Sequence, residues 1–210
     1  MFVIAPAVSP TAQRPRVLIA HGWLGHAIQF RGLARRVTEA GFDATVLSYP
    51  TLFAPFELAV DRARRAAADG GAGAPLHLVG FSMGGLVMRA LAAENPPGLA
   101  SLLLIGTPNS GSPVADLAVR FAPTPALRRL MTTAPALPEI EGIPVGCIAG
   151  ARGGPMGVLF GEPHDGRVAV SSALAVPHRD ARIVAMHHTA MPYARQTADL
   201  TVRFLRDGHF

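Results

Sequence analysis

The stretch Gly80-Phe81-Ser82-Met83-Gly84-Gly85 has the spacing G-x-S-x-G. It follows an apolar run, Leu76–Val79, and precedes an amphipathic stretch, so it reads as a strand-to-helix turn. A serine hydroxyl that is to attack a carbonyl must stand exposed on a tight turn. A residue in that strained backbone needs neighbours without side chains, which the glycines two positions away supply. The helix that follows would turn the main-chain N–H of Met83 outward and favour negative charge developing there. The chemistry this points to is nucleophilic attack by Ser82 and formation of an acyl-enzyme.

Such a nucleophile needs a base, and the base needs a carboxylate to orient it. His188 is the first candidate base, following the apolar run Arg182–Met186 and preceding the last helical stretch; its neighbour His187 is the competitor. Adjacent residues point in different directions, so the two cannot fill one role together. His26, His164, His178 and His209 read as loop or surface residues, and His77 as a packed core histidine. Asp165, in Pro163-His164-Asp165-Gly166-Arg167-Val168, is the first candidate acid, with Asp180 and Glu162 as alternatives. The order along the chain is then Ser82, Asp165, His188, one of the orders in which this constellation occurs. The segment His21-Gly22-Trp23-Leu24-Gly25 follows another apolar run. Its glycines would let the backbone come close, so the N–H of Trp23 becomes a second candidate donor, beside that of Met83, for the oxyanion of a tetrahedral intermediate.

The elements that must position these groups alternate along the chain. Short apolar runs at Arg16–Ala20, Ala44–Tyr49, Leu76–Val79, Ser101–Ile105, Pro144–Ile148 and Arg182–Met186 read as strands. Helices are expected at Phe30–Ala40, Phe56–Ala68, Met83–Glu94 and Tyr193–Leu205. Strands that are apolar throughout and separated by helices predict an α/β chain with a mostly parallel sheet covered on both faces. The Pro-rich interval from about 107 to 142 holds modest helical patterns at Ala115–Phe121 and Ala126–Met131. It reads as a small cap over the sheet edge, within a single domain spanning 1–210.

Composition narrows the remaining classes. The 210 residues suffice for one domain with a substantial core. Half are hydrophobic and 16% are charged, which excludes a disordered chain. Cys147 is the single cysteine, so neither an internal disulfide nor a cysteine-based zinc site is possible. The histidines show no H-x-x-x-H pair, and no metal is expected. All 19 basic residues are arginine, giving a net charge of +5. The longest basic runs are the pairs Arg35-Arg36, Arg64-Arg65 and Arg128-Arg129, too dispersed for a nucleic-acid footprint. No apolar run approaches the roughly 20 residues of a membrane span. Pro6 and Pro10 break the N-terminal stretch MFVIAPAVSPTAQRPR, which lacks a basic start and does not read as a secretory signal, so the expected location is cytoplasmic.

Taken together, HGWLG, LVGFSMGGLVMR, LLLIGTPNSGS, HDGRVAVSSA and the ending from His187 resemble the α/β-hydrolase superfamily, and more narrowly its small bacterial serine esterases and lipases. The likeness spans nearly the whole chain, and GTPNSGS resembles lipase-type members in particular; the chain departs in being short, with a reduced cap. The resemblance implies an α/β-hydrolase fold with a short cap insertion. It also implies hydrolysis of a small ester or lipid through an acyl-enzyme on Ser82, with no cofactor. In such relatives the histidine immediately before Ser or Thr is the base, here His188, and the aspartate of the D-G-x-V segment is its partner, here Asp165. The expected substrate pocket is apolar, lined by Trp23, Phe81, Met83, Leu117, Phe121 and Leu127. An acyltransferase, thioesterase or amidase could use the same nucleophile, and a non-catalytic binding protein could keep the fold alone.

Overall fold

The computed structural model describes residues 13–69 and 73–210; most of the N-terminal stretch MFVIAPAVSPTAQRPR, through residue 12, lies outside them. Six strands, β1 (Arg16–Ala20), β2 (Asp43–Val46), β3 (Leu76–Phe81), β4 (Leu99–Ile105), β5 (Val145–Gly150) and β6 (Asp180–Val184), form one sheet in the order β2-β1-β3-β4-β5-β6. All neighbours are parallel, with Arg16 opposite Asp43 on one side and Leu76 on the other. Between them run α1 (Arg31–Glu39), α2 (Phe56–Asp69), α3 (Met83–Ala93), α4 (Pro113–Ala118), α5 (Pro125–Arg129), α6 (Val170–Ala173) and α7 (Arg195–Asp207). The all-parallel sheet and its helices agree with the α/β architecture expected from the alternation of apolar runs.

The two faces of the sheet separate by the period of two along each strand. Leu18, Ala20, Leu78, Leu102, Leu104 and Cys147 pack with α2 and α3, together with Leu86, Val87 and Leu91. Val17, Ile19, Val79, Leu103, Ile105 and Ile148 pack on the other side with α1 and α7, through Leu33, Val37 and Phe204. Both faces of the inner strands are covered, which is why β3, β4 and β5 are mostly apolar, whereas the edge strands β2 and β6 keep polar and exposed positions. Strand β3, which leads into Ser82, is buried along its whole length.

Element ends differ from the pattern-based expectation for local reasons. The second strand stops at Val46; Leu47 still donates to the Ile19 carbonyl at 2.8 Å, and the chain then leaves the sheet. The sixth strand starts early because Asp180 Oδ2 accepts the Phe210 main-chain N–H at 2.8 Å, and it ends where Met186 N–H donates back to the Val184 carbonyl. Pro192 holds His188–Tyr193 as a 3₁₀ turn, so α7 begins only at Arg195. Between β4 and β5, Thr124 caps α5 by accepting the Leu127 N–H at 3.2 Å. Ala126, Leu127 and Leu130 from this segment join the core on the α2–α3 side. No described helix is long and apolar enough to cross a membrane.

Strand β1 lies between β2 and β3, and from β3 onward the chain adds strands in the opposite direction. The crevice at such a reversal opens at the C-terminal ends of the strands. Residues after β1, β3, β5 and β6 therefore gather along one edge.

His77, on β3, is buried with its Nδ1 2.8 Å from Ser101 Oγ and its ring edge-on to Phe42. Burial pushes its imidazole below the ordinary value, and the His21 ring likewise. Both rings therefore take up a proton less readily in the fold than in the unfolded chain, where histidine titrates near pH 6.5. Stability present above that pH is expected to fall as the pH drops below it. The urea midpoint should fall between pH 7.5 and pH 5.5, and by less in His77→Gln; an equal fall in both proteins would remove His77 from the account.

Candidate active site

Ser82 sits at the junction of β3 and α3 with φ +53° and ψ −124°, a backbone that few residues other than glycine adopt. The close approach that enforces this turn is visible at three glycines. A Cβ at Gly80 would lie well under 3 Å from the Gly84 carbonyl and the Gly85 backbone. One at Gly84 would strike the Ala20 and His21 carbonyls of the neighbouring strand end, and one at Gly85 would strike the Thr107 side chain. Helix α3 is therefore pressed against the ends of β1 and β4, and Ser82 is lifted above the sheet. Met83 opens α3, so its main-chain N–H has no carbonyl within the helix.

The loop after β1 lies beside this turn. A Cβ at Gly22 would sit 3.0 Å from Ser82 Cβ and 3.3 Å from the Phe81 ring, so glycine lets the two loops touch. Gly25 N–H donates to the Gly22 carbonyl at 2.9 Å, and Leu24 N–H donates to Thr51 Oγ1 at 3.0 Å. Tyr49 hydroxyl donates to the His21 carbonyl at 2.5 Å, and its ring stacks on the His21 ring at 4.2 Å. Among the described residues the Trp23 main-chain N–H has no hydrogen-bond partner, and the Trp23 indole N–H is buried without one. Tyr49 and Thr51 belong to no motif and are unremarkable in type; their signal in the sequence is only that they stand at and just beyond the end of the expected strand Ala44–Tyr49, and a parallel neighbour of β1 must end at the same edge.

Asp165 and His188 come together at the far side of the crevice. His188 Nδ1 lies 2.7 Å from Asp165 Oδ2, and both side chains are almost wholly buried. The other carboxylate oxygen, Oδ1, accepts the main-chain N–H groups of Arg167 at 2.9 Å and Val168 at 2.8 Å. His188 N–H donates to the Asp165 carbonyl at 2.8 Å, so main chain and side chain are tied to the same residue. The His188 ring tilts against Phe81 with centroids 4.7 Å apart. His188 and Ser82 line one cavity together. With Nδ1 facing a carboxylate, the neutral ring carries its proton on Nδ1 and offers Nε2 as the acceptor.

His187 turns elsewhere. Its ring packs over Gly166, and its Nδ1 lies 3.0 Å from Thr189 Oγ1. Asp180 pairs with Arg182, and Glu162 accepts from the Ser171 hydroxyl, so neither stands beside a histidine. His164 lies in a loop, as expected, but not at the surface. It is buried, stacks on Phe160 at 4.2 Å, and accepts the Gly166 N–H on Nδ1 at 3.0 Å, bracing the loop that carries Asp165. Cys147 is sealed in the core, where burial pushes its thiol up to about 12 and leaves no usable thiolate.

Two cavities meet at Ser82. One, of about 170 Å³, is lined by Trp23, Gln29, Phe81, Arg167, His188 and Tyr193. The other, of about 50 Å³, is apolar and is lined by Trp23, Ala115, Ala118, Leu127, Leu130 and Val168. Of the pocket residues expected from the sequence, Trp23, Phe81 and Leu127 line one or both. Three do not. The Met83 side chain points into the core with α2 and α3, whereas Leu117 and Phe121 face solvent, Phe121 at 85% exposure. Helix α4 turns Ala115 and Ala118 inward, which puts Leu117 on the opposite side, and Phe121 follows after the helix has ended. Arg167 borders both cavities and was not anticipated. Among the described residues no group of three His, Cys, Asp or Glu side chains could hold a metal ion.

The family profile described as alpha/beta hydrolase fold matches residues 70–137. Among curated proteins no sequence matches the chain. Among solved structures, the mature lipase BlEst2 of Bacillus licheniformis superposes with a TM-score of 0.73 at 18% identity, covering 98% of this chain and 96% of its own. A metagenomic carboxyl esterase superposes with a TM-score of 0.70 at 16% identity, covering 90% and 70%. The thioesterase RedJ from the prodiginine pathway of Streptomyces coelicolor superposes with a TM-score of 0.61 at 15% identity, covering 99% and 96%.

The packing of the turn is testable without reference to chemistry. Gly84→Ala should destabilise the fold by about 1–3 kcal/mol through overpacking against β1. Gly32→Ala, with open space around the new methyl group on α1, should be neutral or stabilising by up to about 1 kcal/mol. Urea denaturation of the two variants should therefore move the midpoint in different directions or by clearly different amounts.

Proposed function

We propose that the chain, which shares the α/β-hydrolase fold, is a serine carboxylic-ester hydrolase acting through an acyl-enzyme on Ser82. The observation that carries this reading is the buried Asp165–His188 pair, whose histidine lines a cavity together with Ser82 on its strained turn. His188 Nε2 takes the Ser82 hydroxyl proton as Oγ attacks the ester carbonyl carbon. The tetrahedral oxyanion is held by the main-chain N–H groups of Trp23 and Met83. When the intermediate collapses, the bond to the alcohol oxygen breaks and His188 gives its proton to that oxygen. Water then attacks the acyl-enzyme with His188 as base, releasing the acid and restoring the Ser82 hydroxyl. Asp165 stabilises the imidazolium and keeps the ring in one tautomer, without accepting its proton.

The two cavities support a division of the substrate. The small apolar cavity suits the acyl chain, with Trp23 and Leu127 as its walls, and the larger cavity suits the leaving alcohol. Its small volume favours short acyl groups, which makes an esterase the better description than a long-chain lipase. The segment from about 107 to 142 acts as a short cap, since Ala115, Ala118, Leu127 and Leu130 close the acyl side. A second reading, cleavage of a thioester by the same nucleophile, is favoured by the likeness to RedJ over 99% of this chain.

A fluorophosphonate probe is expected to label Ser82, and Ser82→Ala to abolish the label. His188→Ala should lower kcat/KM for p-nitrophenyl butyrate by roughly 10⁴-fold or more, and Asp165→Asn by roughly 10³–10⁴-fold. His187→Ala should stay within a few-fold of the parent. In a p-nitrophenyl ester series the acetate and butyrate should outpace the decanoate; the reverse order would overturn the short-chain assignment. A butyryl thioester of N-acetylcysteamine turned over faster than the oxygen ester would favour the second reading. Loss of activity in His187→Ala with retention in His188→Ala would overturn the assigned base.

A further inference from the structure

A third cavity, of about 380 Å³, lies across Pro108 from the small cavity at Ser82. It is lined by Leu86 and Arg89 of α3, by Asn109, by Arg129 at the end of α5, and by Leu137 and Val176. The mechanism of ester cleavage uses none of these side chains. Arg89 is 5% exposed, and its Nε is sealed from solvent with no hydrogen-bond partner. Its Nη1 donates to the neutral Asn109 Oδ1 at 3.1 Å. The Asn109 amide nitrogen donates to the Ala173 carbonyl at 2.7 Å, which fixes the amide with its oxygen towards Arg89.

Among the described residues no carboxylate pairs with Arg89. A buried guanidinium without a counter-ion is costly, because desolvation is not repaid by an opposite charge. The charged group that bears on it is a second cation, Arg129. Burial first, and then repulsion from Arg129, push the Arg89 guanidinium below its ordinary range. Arg129 lies 5.3 Å over the Phe56 ring and donates to the Pro135 carbonyl at 2.6 Å, so its head is also held in place. The single carboxylate on the cavity wall is that of Glu139, which is exposed to solvent.

Two restrained guanidiniums thus border one concavity whose other walls include Leu86, Leu137 and Val176. Guanidinium groups match the planar or tetrahedral oxygens of carboxylates and phosphates, and the apolar walls match a hydrocarbon body. The volume falls within the roughly 300–1,000 Å³ usual for small-ligand sites. We infer that this cavity is a second binding site, for a small organic oxyanion (a carboxylate or a phosphate monoester on an apolar body) whose charge is met by Arg89 and Arg129.

Isothermal titration of the full chain with phenyl phosphate, benzoate, inorganic phosphate and phenol tests the inference. At least one of phenyl phosphate and benzoate is expected to saturate one site per chain, and the stronger of the two identifies the preferred oxyanion. Phenol, without charge, and inorganic phosphate, without an apolar body, should each bind at least ten-fold more weakly. Arg89→Met should abolish binding, but Arg89 is part of the core and its variant can fail to fold. Arg129→Gln and the exposed wall variant Ala136→Glu therefore carry the test, each weakening binding at least ten-fold while the thermal midpoint stays near that of the parent. The inference is overturned by absence of saturable binding with both organic anions, by binding that both wall variants leave within two-fold, or by phenol or inorganic phosphate binding as tightly. Binding that persists in the wall variants would instead place the anion at the Ser82 cavities.

Discussion

The turn from β3 into α3 has no room for a side chain at Gly80, Gly84 or Gly85, because strand end, helix start and the neighbouring strand ends are in direct contact there. This contact positions everything else at the edge of the sheet. It holds Ser82 at φ +53°, at a strain of about 1–3 kcal/mol that only close packing sustains. It also lays α3 against the end of β1, so that the loop at His21–Gly25 meets the serine from one side. The surrounding strands are buried on both faces, and this core is what resists relaxation of the turn.

Opposite the turn, the carboxylate of Asp165 divides its oxygens between two tasks. Oδ1 is taken up by two main-chain N–H groups of its own loop, and Oδ2 by His188. A buried carboxylate left with an unpaired oxygen would be costly, so the tight loop through Gly166 is part of the arrangement. His164, stacked on Phe160, braces that loop from beneath. Orientation of the His188 ring thus follows from a loop after β5, although His188 itself follows β6. The sheet brings the two together because adjacent parallel strands end at the same edge.

On the other side of Pro108, the logic of compensation is left incomplete. Arg89 is buried as deeply as the core around it, yet its described partner is a neutral amide and another arginine, Arg129, repels its charge. Several other buried polar groups are matched: His77 meets Ser101, Tyr49 meets the His21 carbonyl, and Thr201 meets the Thr197 carbonyl; the Trp23 indole N–H and Thr107 Oγ1 are unpartnered but carry no charge. An unbalanced guanidinium beside a cavity stands out against that background. Arg129 belongs to one of the three basic pairs of the sequence, and only packing of α5 against α2 sets it apart from the other two.

Much of the architecture was legible in the residues themselves. The apolar runs and the helical periods located all six strands and the long helices, because backbone burial on both faces of a parallel sheet imposes composition locally. The G-x-S-x-G spacing marked the turn for the same reason: close backbone approach excludes side chains at fixed offsets, whatever lies further along the chain. The likeness to known hydrolases added that His188, before Thr189, is the base and that Asp165 of the D-G-x-V segment is its partner. What the residues left open depends on contacts between remote segments. His187 and His188 are one type at adjacent positions, and only the packed loop after β5 brings one of them within 2.7 Å of Asp165. Leu117 and Leu127 are equally apolar, and the helix faces presented by α4 and α5 alone turn the first to solvent and the second to the cavity. Sequence period and glycine placement determined the sheet and its sharp turn, because these constraints act within a few residues; the tertiary structure decided which charges meet, because that depends on distances no local pattern encodes.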